Sequence, residues 1–160
     1  MRIQTHDFDV SQELAELRGR DPRVGAVCSF IGTVRANSPQ SQGPELLGMA
    51  LEHYPGMTEK AIEAMIDEAF ARFALLGVRV VHRVGELKPL DQIVFVAVTS
   101  AHRHVSYQAC EFLMDYLKTQ APFWKKEQTA QGAQWVDARE SDDAALARWG
   151  IQASNQASKP

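Results

Sequence analysis

The chain has 160 residues, 45% of them hydrophobic and 23% charged, with a formal net charge of −3. That length favours one domain, the apolar fraction supplies a core, and the acidic balance argues against a general nucleic-acid coat, which is usually basic overall. The two cysteines, Cys28 and Cys110, sit in apolar stretches with no CxxC and no clustered histidine. Neither a zinc site nor a disulfide framework is expected, and both read as buried thiols.

Residues 1–10, MRIQTHDFDV, hold no apolar core of the signal-peptide kind, and the longest purely apolar run, 93–98, is too short to span a bilayer. A reducing cytoplasm is the expected address. Residues 1–8 suit an edge strand, and 10–17 a short helix with Asp9 as N-cap. Residues 24–34, VGAVCSFIGTV, are rich in β-branched and aromatic side chains and read as a strand. A polar loop, 36–44, leads into a second strand at 46–54. The clearest helix is 58–75, where Ile62, Met65, Ile66, Ala69, Phe70 and Phe73 repeat at the helical period. Thr58 is its expected cap, Glu59 suits its positive end, and Gly77 is expected to end it. A strand at 78–84 is followed by a turn around Pro89, over 86–92. Residues 92–99, QIVFVAVT, are apolar on both faces and read as a central strand. A helix follows at 103–118, with Tyr107, Cys110, Met114 and Leu117 on one stripe, and Pro122 forbids its continuation. Two short strands, 123–129 and 133–138, precede a small helix from Ser141 to Trp149. The polar stretch 151–160 reads as a frayed tail. This order predicts a two-layer α+β domain over 1–150, without internal repeats.

Three places suit chemistry. At the junction 99–104, TSAHRH, a buried strand gives way to a helix whose unpaired N–H groups favour anions, and His102 and Arg103 add donors there. That arrangement suits phosphate or carboxylate, although a solvated turn with a capping histidine would look the same. Lys118 ends the helix, and Lys125 and Lys126 follow the reversal at Pro122. Two ammonium groups facing one pocket would suit proton transfer, although a lysine in a last turn also answers the helix dipole. Arg35 and Arg139 end strands and, on their own, read as ordinary strand-end arginines. His53 reads as a turn-ordering residue, and His82 as structural.

The segments LEHYPGMTEKAI (51–62), HRVGEL (82–87), IVFVAVTSAHR (93–103) and above all FLMDYLKTQAPFWKKE (112–127) closely resemble the large subunit of molybdopterin synthase. FIGTVR (30–35) and WVDARESD (135–142) match in the right order, so the resemblance covers about 24–149. Leu90 departs from it, standing where the family usually has glycine before Asp91.

The resemblance implies an α/β hammerhead-type fold with a small added β subdomain, and a central homodimer. Each large subunit then binds one small ubiquitin-like subunit carrying a C-terminal thiocarboxylate. That tail gives sulfur to cyclic pyranopterin monophosphate, two such transfers forming the dithiolene of molybdopterin, with no metal or other cofactor required. By motif position the catalytic lysines fall on Lys118 and Lys125. The pterin and phosphate contacts fall on Thr33, Val34, Arg35, His102, Arg103, Lys126 and Glu127, with Arg139 reaching the same pocket from the other protomer. Two rivals remain at this point: a noncatalytic scaffold that only docks a ubiquitin-like protein, which would not need both lysines, and a small RNA-binding α+β domain, against which the acidic charge counts.

Overall fold

The segment 92–100 has no polar face to offer solvent, and such a strand needs cover on both sides. The computed structural model, which describes residues 1–36, 45–136 and 147–151, shows what covers it. Among these residues the elements run β1 (Arg2–Gln4), α1 (Val10–Arg18), β2 (Ala26–Thr33), β3 (Leu46–His53), α2 (Met57–Arg72), β4 (Leu75–Arg83), β5 (Gly85–Leu87), β6 (Gln92–Ser100), α3 (Arg103–Gln120), β7 (Phe123–Thr129) and β8 (Gly132–Val136). One sheet has the order β1-β4-β6-β2 and the other β5-β3-β7-β8.

β6 is antiparallel to both β4 and β2, and β1 joins β4 in parallel at the far edge. Its alternation sorts the core. Val94, Val96 and Val98 face the main cluster with Ile62, Met65 and Ala69 of α2 and Phe112, Leu113 and Leu117 of α3. Phe95 and Ala97 face the other way, toward Phe8 and the α1 residues Leu14 and Leu17. The mixed α+β class and the added β subdomain are as expected, and α1 covers the sheet face that a two-layer scheme leaves bare.

Asp9 caps α1 as expected, its side chain accepting from the Gln12 N–H at 3.0 Å, but several other local expectations change. Gly56, at φ +83°, is the N-cap of α2, and Glu59 Oε2 accepts its N–H at 2.6 Å. Thr58 therefore does not cap. Its hydroxyl oxygen accepts the Tyr54 N–H at 3.0 Å, and the same hydroxyl donates to the Pro122 carbonyl at 3.0 Å. α2 ends where Phe73 turns extended, and Gly77 lies inside β4. A Cβ there would come within 2.9 Å of Thr99 Oγ1, so that glycine permits close packing and does not stop the helix. Phe70 and Tyr107 are exposed; the buried stripe of α3 is carried by Ala109, Cys110, Phe112, Leu113 and Leu117. The loop 37–44 and most of the Ser141–Trp149 helix lie outside the described residues. Trp149 and Ile151 both pack against the main core.

His82 is buried, as a structural residue should be. Its Nδ1–H donates to the Arg83 carbonyl at 2.8 Å, and its ring stacks on Phe123 at 3.8 Å. Burial, despite that hydrogen bond, pulls its pKa from 6.5 down to about 4. A histidine with a depressed folded pKa binds fewer protons folded than unfolded, so stability should fall as pH drops from about 6.5 to about 4, by roughly 3 kcal/mol at most. Urea unfolding across that range should show the decline, and His82→Gln should flatten it.

The turn after β5 is pinned by Lys88 N–H to Asp91 Oδ2 at 2.8 Å and Asp91 N–H to the Lys88 carbonyl at 3.0 Å. It holds Leu90 at φ +76°, exposed, where a Cβ is strained and glycine is not. Leu90→Gly should stabilise the chain by about 0.5–1 kcal/mol or leave it unchanged, read as a raised midpoint in urea.

Candidate active site

The site residues are set by strand ends. Val34 is buried against Met49, Leu51 and Leu87, its N–H donates to the Asp91 carbonyl at 2.9 Å, and its carbonyl accepts from the Leu90 N–H at 2.9 Å. Its side chain and both backbone groups are thus committed to the fold. Thr33 and Arg35, on either side of it, are exposed.

At the other end of the main sheet, Ser100 Oγ bonds both the His102 carbonyl and Ser106 Oγ, at 2.8 and 2.7 Å, which fixes the entry to α3. Gly25 lets β2's approach pass close: a Cβ there would lie 2.4 Å from the Ala101 carbonyl oxygen. His102 is the N-cap, with no side-chain cap bond, and no acid stands in the first turn. The resulting cleft of about 510 Å³ is lined by Gly25, Ala101, His102, Arg103 and His104. Free N–H groups, the helix dipole and exposed basic side chains therefore converge on one opening, which suits an anion.

A second cleft, about 370 Å³, runs along α3 against β2. It is lined by Cys28, Ser29 and Phe30 on the strand and by Tyr107, Cys110, Glu111, Met114, Asp115 and Lys118 on the helix. Met114 lines this cleft, whereas Phe123 does not and stacks on His82. Burial, with Cys28 alongside, pushes the Cys110 thiol up to about 12, so it is held protonated and unreactive. Sequence reading missed Glu111 and Asp115 here, although their spacing of seven and three residues before Lys118 places them on its face of the helix.

Lys125, Lys126 and Glu127 lie on β7. Lys125 stands opposite Leu51 and Glu127 opposite Met49, so both share the face that carries the second sheet's core residues. They form an ion pair with each other. Lys126 points to the opposite face, its ammonium 5.5 Å from the centre of the Trp135 ring. The cleft around Lys118 is lined by neither β7 lysine. Arg139 lies outside the described residues. Arg103 and Lys118 stand fifteen positions apart in the helix, about 22 Å along α3. One chain therefore does not bring the basic start of α3 and Lys118 together.

Residues 3–120 match the family model described as the MoaE protein. The chain belongs to the MoaE protein family. The molybdopterin synthase catalytic subunit of Ralstonia nicotianae is 58% identical over 155 residues, which cover 97% of this chain and 86% of that protein. The molybdopterin biosynthesis MoaE protein of Burkholderia ambifaria shares the fold at a TM-score of 0.79 and 56% identity, over 94% of this chain and 97% of that one. A chain from the complex of subunits 1 and 2 of molybdopterin-converting factor of Helicobacter pylori, at 18% identity and a TM-score of 0.67 over 86% of this chain and 90% of that one, shows the shared fold alone.

For a MoaE family member the basic end of α3 should hold a phosphate-like anion. In crystals grown with sulfate or inorganic phosphate, density is expected beside His102 and Arg103. Calorimetric titration with phosphate should show Arg103→Ala binding about tenfold more weakly.

Proposed function

We propose that this chain is the catalytic subunit of a molybdopterin synthase, a sulfurtransferase of molybdenum cofactor biosynthesis. Its substrates are the C-terminal thiocarboxylate of a small ubiquitin-like subunit and cyclic pyranopterin monophosphate, and its product is the dithiolene of molybdopterin. Family membership at 58% identity supports the activity. The observation that carries the residue assignment is the cleft between α3 and β2, which Lys118 lines.

In this reading the Lys118 ammonium orients the thiocarboxylate and balances the charge that develops as sulfur adds to the pterin side chain. The oxygen displaced from the pterin side chain leaves with a proton from a lysine. Water then cleaves the acyl–sulfur bond, so that the sulfur stays on the side chain and the partner's C-terminus leaves as a carboxylate. A second thiocarboxylate repeats the transfer to complete the dithiolene. Lys125, paired with Glu127, is the second proton-handling group. Thr33, Arg35, His102, Arg103, Lys126 and Glu127 bind the pterin and its cyclic phosphate, and Val34 serves by fixing Arg35. No cofactor or metal enters the reaction.

The separation along α3 supports a shared site. A second copy that sets its His102, Arg103 and Arg139 beside Lys118 and Lys125 completes what one chain divides. β2 is an edge strand with Val27, Phe30 and Ile31 exposed, and an apolar edge of that kind suits pairing with a second copy. Light scattering at micromolar concentration should give about twice 17.8 kDa. A monomer throughout would remove the shared site.

The activity itself is tested by mixing the chain with thiocarboxylated small subunit and the cyclic precursor and following the product by mass spectrometry. Product is expected from the wild type. Lys125→Ala should lose about a hundredfold in rate, and Lys118→Arg should not restore what Lys118→Ala loses, because a guanidinium is a poor proton donor at neutral pH. Lys126→Ala should act on precursor affinity. Full turnover by Lys125→Ala would return the scaffold reading.

A further inference from the structure

The C-terminal turn around 147–151 is seated by Trp149. Its ring meets Phe73 and Phe112 edge-on at centroid distances of 6.0 and 5.4 Å, and its indole N–H donates to Asp115 Oδ2 at 2.8 Å. Arg72 Nη1 donates to the Trp149 carbonyl at 2.7 Å. So held, the neighbouring Arg148 places Nη2 at 3.1 Å from Glu111 Oε1 and 2.8 Å from Asp115 Oδ2. These are the two carboxylates of the Lys118 cleft.

An aspartate three residues before a lysine is ordinary helical ion-pair geometry. Yet the ion pairs of Glu111 and Asp115 go to Arg148, and among the described residues no carboxylate pairs with Lys118. The other titratable groups lining the cleft are Tyr107 and Cys110 from α3 and Cys28 from β2. With Arg148 in place, the charges of Glu111, Asp115, Lys118 and Arg148 cancel. Without it, the cleft carries one net negative charge, against the approach of an anionic tail.

We infer that Arg148 is a positioning residue for sulfur transfer: it occupies Glu111 and Asp115, leaving the Lys118 ammonium available to the incoming thiocarboxylate. The inference rests on the proposed role of Lys118 and extends the site to a C-terminal arginine that does not line the cleft itself. Because Trp149 anchors the turn independently, removing the guanidinium leaves that anchor in place.

The experiment is single-turnover transfer from thiocarboxylated small subunit to the cyclic precursor, with circular dichroism as the folding control. Arg148→Ala should be slower by about three- to fivefold, the scale of a partly exposed ion pair. Adding Glu111→Gln and Asp115→Asn to Arg148→Ala should restore the rate to within about twofold of wild type, since the competing carboxylates are then gone. A merely structural turn predicts the opposite, a triple variant no faster than Arg148→Ala, and that result overturns the inference. So does wild-type transfer by Arg148→Ala. If Lys118→Ala is inactive in the same assay while Arg148→Ala is normal, only the inference fails; if Lys118→Ala itself transfers at the wild-type rate, the lysine role fails and the inference with it.

Discussion

The hydrogen bond from the Thr58 hydroxyl to the Pro122 carbonyl, 3.0 Å long, ties together parts of the chain that otherwise share little. Thr58 lies in the first turn of α2 and is fully buried, and the same hydroxyl accepts the Tyr54 N–H just past β3. Pro122 is the reversal between α3 and β7. Ala121 turns extended before the proline, and the Phe123 N–H closes the reversal on the Ala121 carbonyl at 2.9 Å. Phe123 then stacks on His82 of β4. One buried junction thus fixes the helical layer, the main sheet and the second sheet relative to each other. It also sets where α3 stops, and so where Lys118 projects, and where β7 starts, and so which face Lys125 takes.

Most of the element order was legible because the signals are local. Asp9, the apolar alternation of 92–99 and the proline at 122 each act through neighbours in sequence. What was not legible depends on distant partners. Gly77 looks like a helix stop, but its lack of a side chain answers Leu17 and Thr99, which lie nowhere near it in sequence. Tyr107 and Phe70 fit an apolar stripe by spacing, but both stand exposed, because among the described residues no other element packs over them. Leu90 marks the reverse case: its departure from the family's glycine was visible in sequence, and the positive φ gives the physical meaning of that position.

The site divides in the same way. The basic start of α3 follows from the strand-to-helix junction, and His102 and Arg103 do stand together at a cleft there. That Lys125 and Lys126 project to opposite faces follows from strand alternation, once β7 is known to be a strand through both residues. The distance between Arg103 and Lys118 is equally implicit in an uninterrupted helix. It bears on the functional reading: α3 places the basic end proposed to bind an anion far from the lysine proposed to handle protons, which is the reason for proposing a site shared by two chains. The acids beside Lys118 and the arginine that holds them could not be paired from sequence, since Arg148 reaches them only through the docking of Trp149 on Phe73 and Phe112.

Whether Lys118 acts in transfer or in docking is separated by one measurement. Thiocarboxylated small subunit is bound to wild-type and Lys118→Ala chains under saturating conditions, the cyclic precursor is added, and the partner's C-terminus is followed by intact mass spectrometry. If Lys118 acts in transfer, both chains bind the partner, with the wild type converting thiocarboxylate to carboxylate and Lys118→Ala leaving it intact for at least about a hundred times longer. Conversion by a folded, partner-bound Lys118→Ala chain at the wild-type rate would contradict that role.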